Sequence, residues 1–159
     1  MSQRAKEIAE RIRSFNDSVM AFVESLSEDD WHKVCKSEEW PVGATAYHLG
    51  AGHFAIFDMA GMIVRGEDLP PLTMDQINAM SDKQAREHAD CTKAEAISAL
   101  QKNSADMVAF VAGLTDEELD REGSMPAFGG ETTTEQFIQF IIFESAMRHF
   151  DSMKTAVGR

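Results

Sequence analysis

Cysteine is scarce in this sequence and unpaired: Cys35 and Cys91 lie far apart, and neither belongs to a CxxC motif. A disulfide framework and a thiolate metal site are thereby set aside, and two isolated reduced thiols are expected. Long apolar runs are missing as well. The strongest, around Phe54 to Val64 and Phe137 to Phe143, are interrupted by polar groups or too short to cross a bilayer, so no membrane span is expected. The opening Met1-Ser2-Gln3-Arg4-Ala5-Lys6-Glu7 enters a charged amphipathic pattern directly, without the apolar core of a secretory signal. A cytoplasmic protein is expected. Basic residues are few and scattered, 15 Lys and Arg against 27 Asp and Glu, for a net charge of −12. Such a surface repels phosphate backbones and anionic membranes, which argues against nucleic-acid and membrane partners. There is no Gly-rich phosphate loop and no Ser-His-Asp order, which disfavours a nucleotide enzyme or a serine hydrolase.

What is present is helical patterning over 159 residues that are 43% hydrophobic, enough for one domain spanning 1–159 with a single buried core. Ile8, Ile12, Phe15, Val19, Phe22 and Leu26 alternate steps of four and three and predict a first helix. Trp40-Pro41 opens a second, which runs past His48, Phe54 and Phe57 toward Gly66. After the Pro70-Pro71 break, Thr73 with Gln76 forms a capping-box pattern that starts a short polar crossover near Asn78 to His88. Thr92 with Glu95 opens a third long helix through Leu100, Met107 and Val111. Ser124 to Thr132 reads as a loop, and Thr134 to Ala156 as a fourth, central helix. The predicted fold is an all-α four-helix bundle with a crossover between helices two and three. Leu26-Ser27-Glu28-Asp29-Asp30-Trp31 matches Leu114-Thr115-Asp116-Glu117-Glu118-Leu119 in residue class, which suggests two related helix pairs.

His48 is the first candidate for chemistry. Its helical neighbours Ala44, Thr45, Ala51, Gly52 and Ala55 are nearly all small. They imply either a cavity beside the imidazole or close helix packing around a core histidine. His149 follows an apolar run in helix four and is expected to be buried. A catalytic divalent site needs three protein ligands and an open position. At i−4 from His149 stands Ser145, a poor ligand, whereas Glu144 is a good ligand type but is turned about 140° away on an α-helix. By the same arithmetic His53, five residues from His48, faces elsewhere. His32 and His88 fall in charged or polar segments and receive no role. Met59, Met62, Met80, Met107 and Met147 sit at spacings that suit core gap-filling.

Trp40-Pro41-Val42 followed by Ala46-Tyr47-His48-Leu49 resembles the start of helix two in the DinB-like superfamily, which includes mycothiol-dependent maleylpyruvate isomerases. The likeness extends through Asn78, the Leu114 to Leu119 turn and His149-Phe150-Asp151-Ser152-Met153-Lys154. The resemblance implies a four-helix bundle, frequently dimeric, in which a histidine of helix two and an HxxxH pair of helix four bind a divalent metal. His48 and His149 match the first and last of these, and Ser145 replaces the middle one. A divalent ion, zinc or nickel, would then sit on His48 and His149 with waters or with Glu144 reaching in, or the site has lost its metal and binds a small molecule through its histidines; characterised members look like metal-assisted enzymes acting with a low-molecular-weight thiol. Three functions follow: a metal-dependent thiol transferase, isomerase or hydrolase acting on a small molecule; a metal-free ligand-binding or regulatory bundle; or a structural bundle in which the small face of helix two seats another helix or a dimer partner. A homodimer is expected.

Overall fold

The computed structural model describes residues 2–159 and is built from four long helical rods. Helix α1 (Gln3–Glu24) starts on Ser2, whose side chain accepts from the Ala5 amide, and its buried stripe includes Ile8, Ile12, Val19 and Val23. It packs along the helix that spans Lys93–Ala112. A capping box of Ser27 and Asp30 opens the single turn α2 (Glu28–His32). The strands β1 (Val34–Cys35) and β2 (Trp40–Pro41) then pair as an antiparallel hairpin.

The second rod comprises α3 (Val42–Tyr47), a π-helical turn over His48–Gly52, and α4 (His53–Val64). The expected crossover is α5 (Met74–Glu87), capped by Thr73 and Gln76 and starting a turn earlier than the sequence suggests. The third rod, α6 (Lys93–Ala112), starts on Thr92. A second capped turn, α7 (Asp116–Asp120), leads to β3 (Glu122–Met125) paired with β4 (Gly130–Thr133). The segment expected as a loop is therefore largely a hairpin. Gly129 and Gly130 take φ of 73° and 124° at its turn, which a side chain would resist. The fourth rod is α8 (Thr134–Ile138), a π-helical stretch over Gln139–Ala146, and α9 (Met147–Ala156).

The short repeat thus belongs to a longer one. Each half runs long helix, capped turn, hairpin, and a rod with a π segment inside it. The core divides into a cluster around Ile12, Ile63, Met125 and Phe137 and another around Val23, Trp31, Leu100 and Met153. Both cysteines are buried free thiols, and burial raises the pKa of each. Met107 is a core residue as expected, whereas Met80 and Met147 are exposed, because they lie on the outer faces of α5 and α9. Among the described residues no helix is long and apolar enough to cross a membrane.

Candidate metal centre

The π turn in the second rod decides the site. In an α-helix residues five apart diverge, but a π turn closes i→i+5 bonds, and the widened turn stacks position five under position one. His48 opens this turn, and His53 is the first residue after it. Their rings lie 4.6 Å apart between centroids. The expectation that His53 faces elsewhere is thus corrected, because it assumed α-helical pitch where the backbone is π-helical. Asn103 Nδ2 donates to the Gly50 carbonyl at 2.7 Å, satisfying a buried backbone group inside the widened turn.

His149 on α9 completes the group, with its ring 5.1 Å from that of His48 and 5.3 Å from that of His53. One ligand atom from each of the three histidines lies within 4.8 Å of the others. Glu144 is exposed and lines an outer groove with Phe140, Phe143 and Met147, so the expectation that it joins His48 and His149 is corrected. The π stretch of the fourth rod ends at Ala146, and α-helical pitch from Met147 onward keeps Glu144 and His149 on different faces.

Each imidazole has a polar neighbour that bears on its tautomer. His48 Nδ1 lies 3.1 Å from Gln84 Oε1, an acceptor, so Nδ1 carries the proton and Nε2 keeps its lone pair. His53 Nε2 meets Ser145 Oγ at 3.1 Å, while its Nδ1 is buried without a partner. The position where helix four would carry a histidine is thus filled by a serine that contacts a histidine of helix two. Glu38, from the β1–β2 turn, places Oε1 3.5 Å from His149 Nδ1. At that separation the carboxylate's charge acts on the ring although the geometry does not close a hydrogen bond, and Nδ1 remains unpartnered. Ser152 Oγ donates to Glu38 Oε2 at 2.7 Å. Burial alone would raise the Glu38 pKa, but the contacts with His149 and Ser152 outweigh it and hold the carboxyl below its ordinary value. Trp40 stacks on His149 with centroids 5.4 Å apart, meets His48 edge-on at 5.1 Å, and donates Nε1–H to Asp82 at 2.9 Å.

Burial, followed by the neighbouring His149, pushes the His48 pKa down to about 4. Burial, followed by His48 and then His149, drives His53 well below its ordinary value. Both rings are therefore neutral at pH 7, the form in which a histidine can donate a lone pair.

A cavity of about 970 Å³ opens from the three rings to the surface between α5, α9 and the β1–β2 hairpin. It is not where the small residues beside His48 suggest. Ala44 packs against Trp40 and Ala85, and Gly52 lies under the His48 ring, so close packing is the reading that holds for this face. A Cβ on Gly52 would come 2.1 Å from His48 Nδ1 and 3.0 Å from Gln84 Oε1. Gly52→Ala should therefore cost about 1 to 3 kcal/mol through overpacking and displace the imidazole. Chemical denaturation checks the cost. A variant as stable as the parent would show that the ring can move aside freely.

His32 is exposed against Glu28, and His88 stacks on Tyr47 with centroids 4.3 Å apart; neither lines the cavity. Sequence reasoning missed His53, Glu38 and Gln84. Only His53 carried a signal, its spacing of five from His48, which is diagnostic once a π turn is suspected.

Residues 11–149 match the family model of the DinB superfamily. No curated protein sequence matches the chain significantly. Among solved structures, one with a similar fold is YfiT from Bacillus subtilis, described as a probable metal-dependent hydrolase with an unusual four-helix bundle topology. The two superpose with a TM-score of 0.70 at 16% identity, covering 99% of this chain and 90% of that one.

Proposed function

The chain belongs to the DinB superfamily, and on that premise we propose that it is a metal-dependent enzyme acting on a small molecule, with His48, His53 and His149 holding one divalent ion, zinc or nickel. The observation that carries this reading is the convergence of three buried or nearly buried imidazoles on one cavity wall, two of them, His53 and His149, with an orphaned Nδ1. Orphaned buried nitrogens are costly unless something accepts their lone pair. Three histidine ligands leave a coordination position open, as in catalytic zinc sites.

A divalent ion held there supplies a Lewis acid that makes water or a thiol nucleophilic at neutral pH. The protein's own groups hold the ligands ready for it. Gln84 fixes the proton of His48 on Nδ1, and Ser145 Oγ in contact with His53 Nε2 holds that ring in place. Glu38 favours a proton on His149 Nδ1 and so frees Nε2, the arrangement of a carboxylate supporting a ligating histidine. Trp40 restrains two of the rings and keeps water from one side of them. Hydrolysis is the reaction class favoured, in line with the description of YfiT. Transfer or isomerisation with a low-molecular-weight thiol would use the same open position.

Protein purified without a His-tag and stripped with chelator should take up one equivalent of zinc or nickel, and cobalt should give the visible spectrum of a four- or five-coordinate site. Uptake well below one equivalent for all three ions would favour the metal-free binding reading instead.

A further inference from the structure

The cavity has a charge pattern that the metal reading does not use. Three carboxylates line it, and each already has an internal partner. Glu38 is held by Ser152 and His149, Asp82 by Arg86 and the Trp40 indole, and Asp151 by Lys154. The two cations on the same walls, Lys36 and Arg148, have no such partner. Arg148 is the one arginine among the described residues with neither a carboxylate nor an aromatic ring against it. Every other arginine meets an acid or, for Arg11, the ring of Phe143.

In a chain with 27 acidic residues, an unpaired guanidinium beside a ligand-bearing cavity is out of keeping with its surroundings. Glu144 stands four residues before it, at helical spacing for an ion pair, and does not make one. Lys36 and Arg148 are both exposed on the cavity lining, so an anionic group entering it meets two cations that no carboxylate of the chain already engages. A guanidinium offers a fork of donors to a carboxylate or a phosphate. The remaining walls are largely apolar, with Trp40, Ile77 and Phe140 among them. Two cations and apolar walls suit one carboxylate on an apolar body better than a polyphosphate.

We propose that the substrate is a small organic acid whose carboxylate is bound by Arg148 and Lys36 at the cavity mouth while its apolar part lies against Trp40, Ile77 and Phe140. The inference rests on the enzymatic reading of the same site, and its test separates the two. Calorimetric titration of 3-phenylpropanoate, its uncharged analogue 3-phenylpropanamide, and phenylphosphonate is carried out on chelator-stripped and zinc-loaded protein.

In the stripped protein, where no ion can bind the carboxylate, the acid should bind about tenfold or more tighter than the amide. The double variant Arg148→Gln with Lys36→Gln should lose that preference, and Arg148→Lys should retain part of it. Both side chains are exposed, so circular dichroism should show the variants folded. Equal binding of acid and amide, or a preference that survives the double variant, would overturn the proposal. Phenylphosphonate binding more tightly than the acid would overturn the carboxylate assignment. If zinc never binds but the Arg148-dependent preference is present, the metal reading fails and this one stands; zinc uptake without the preference gives the reverse.

Discussion

Zinc affinity should fall by at least about a thousandfold in His53→Ser, beyond the 10–100-fold typical of a lost outer partner, since a proposed ligand is removed outright. Restoring a histidine on helix four does not rescue the protein by itself. Ser145→His alone places a second imidazole where His53 already sits, because Ser145 Oγ is only 3.1 Å from His53 Nε2. Overpacking in that position costs about 1 to 3 kcal/mol. The exchange of both residues, His53→Ser with Ser145→His, removes the collision and supplies an i, i+4 histidine pair with His149 in the fourth rod. Most of the zinc affinity should return in the exchanged protein. Competition titration against a chromogenic chelator measures all three variants. An exchanged protein that binds no better than His53→Ser would mean that the third ligand cannot be relocated between the helices, and that Ser145 is not the structural counterpart of the missing histidine.

Acid should destabilise the metal-free protein well before its carboxylates titrate. His48 has a pKa of about 4 in the fold against 6.5 in the unfolded chain, because burial opposes its charged form. Between those values the unfolded state binds a proton that the folded state does not. Stability attached to this residue is therefore full above pH 6.5 and lost as pH falls toward 4. The difference amounts to about 3 kcal/mol for His48 at the lower end. His53, shifted down for the same reason, acts in the same direction. Urea midpoints measured from pH 7 to pH 5, above the range of ordinary carboxylates, should fall steadily in chelator-stripped protein and less steeply in His48→Gln. A flat profile across that window would show that these rings are not held neutral by the fold.

Much of the architecture was legible in advance because it rests on local physics. The three-four spacing of Ile8 to Leu26, the capping pair of Thr73 and Gln76, and the capped turns before Trp31 and Leu119 are each written within a few residues. His48 was legible as a candidate, as was His149, because a histidine inside an apolar helical run is conspicuous. The hairpin at Glu122 to Thr133 was missed because its polar, glycine-containing strands carry no alternating apolar pattern, and it is held by pairing alone.

By itself the sequence determined the class of fold, the order of its helices, the absence of a CxxC pair, and a net charge of −12. Each of these follows from composition or from spacings shorter than two helical turns. Which side chains meet was decided only by the tertiary structure. Helical pitch is not constant along the second and fourth rods, and a single π turn moves His53 from the far side of the helix to a place beside His48, while the return to α-helical pitch after Ala146 leaves Glu144 outside. Glu38, Gln84 and Ser145 reach the histidines from three separate elements, at sequence separations over which no periodicity carries information. Their contribution depends on distances of a few ångströms, and those exist only once the rods have packed.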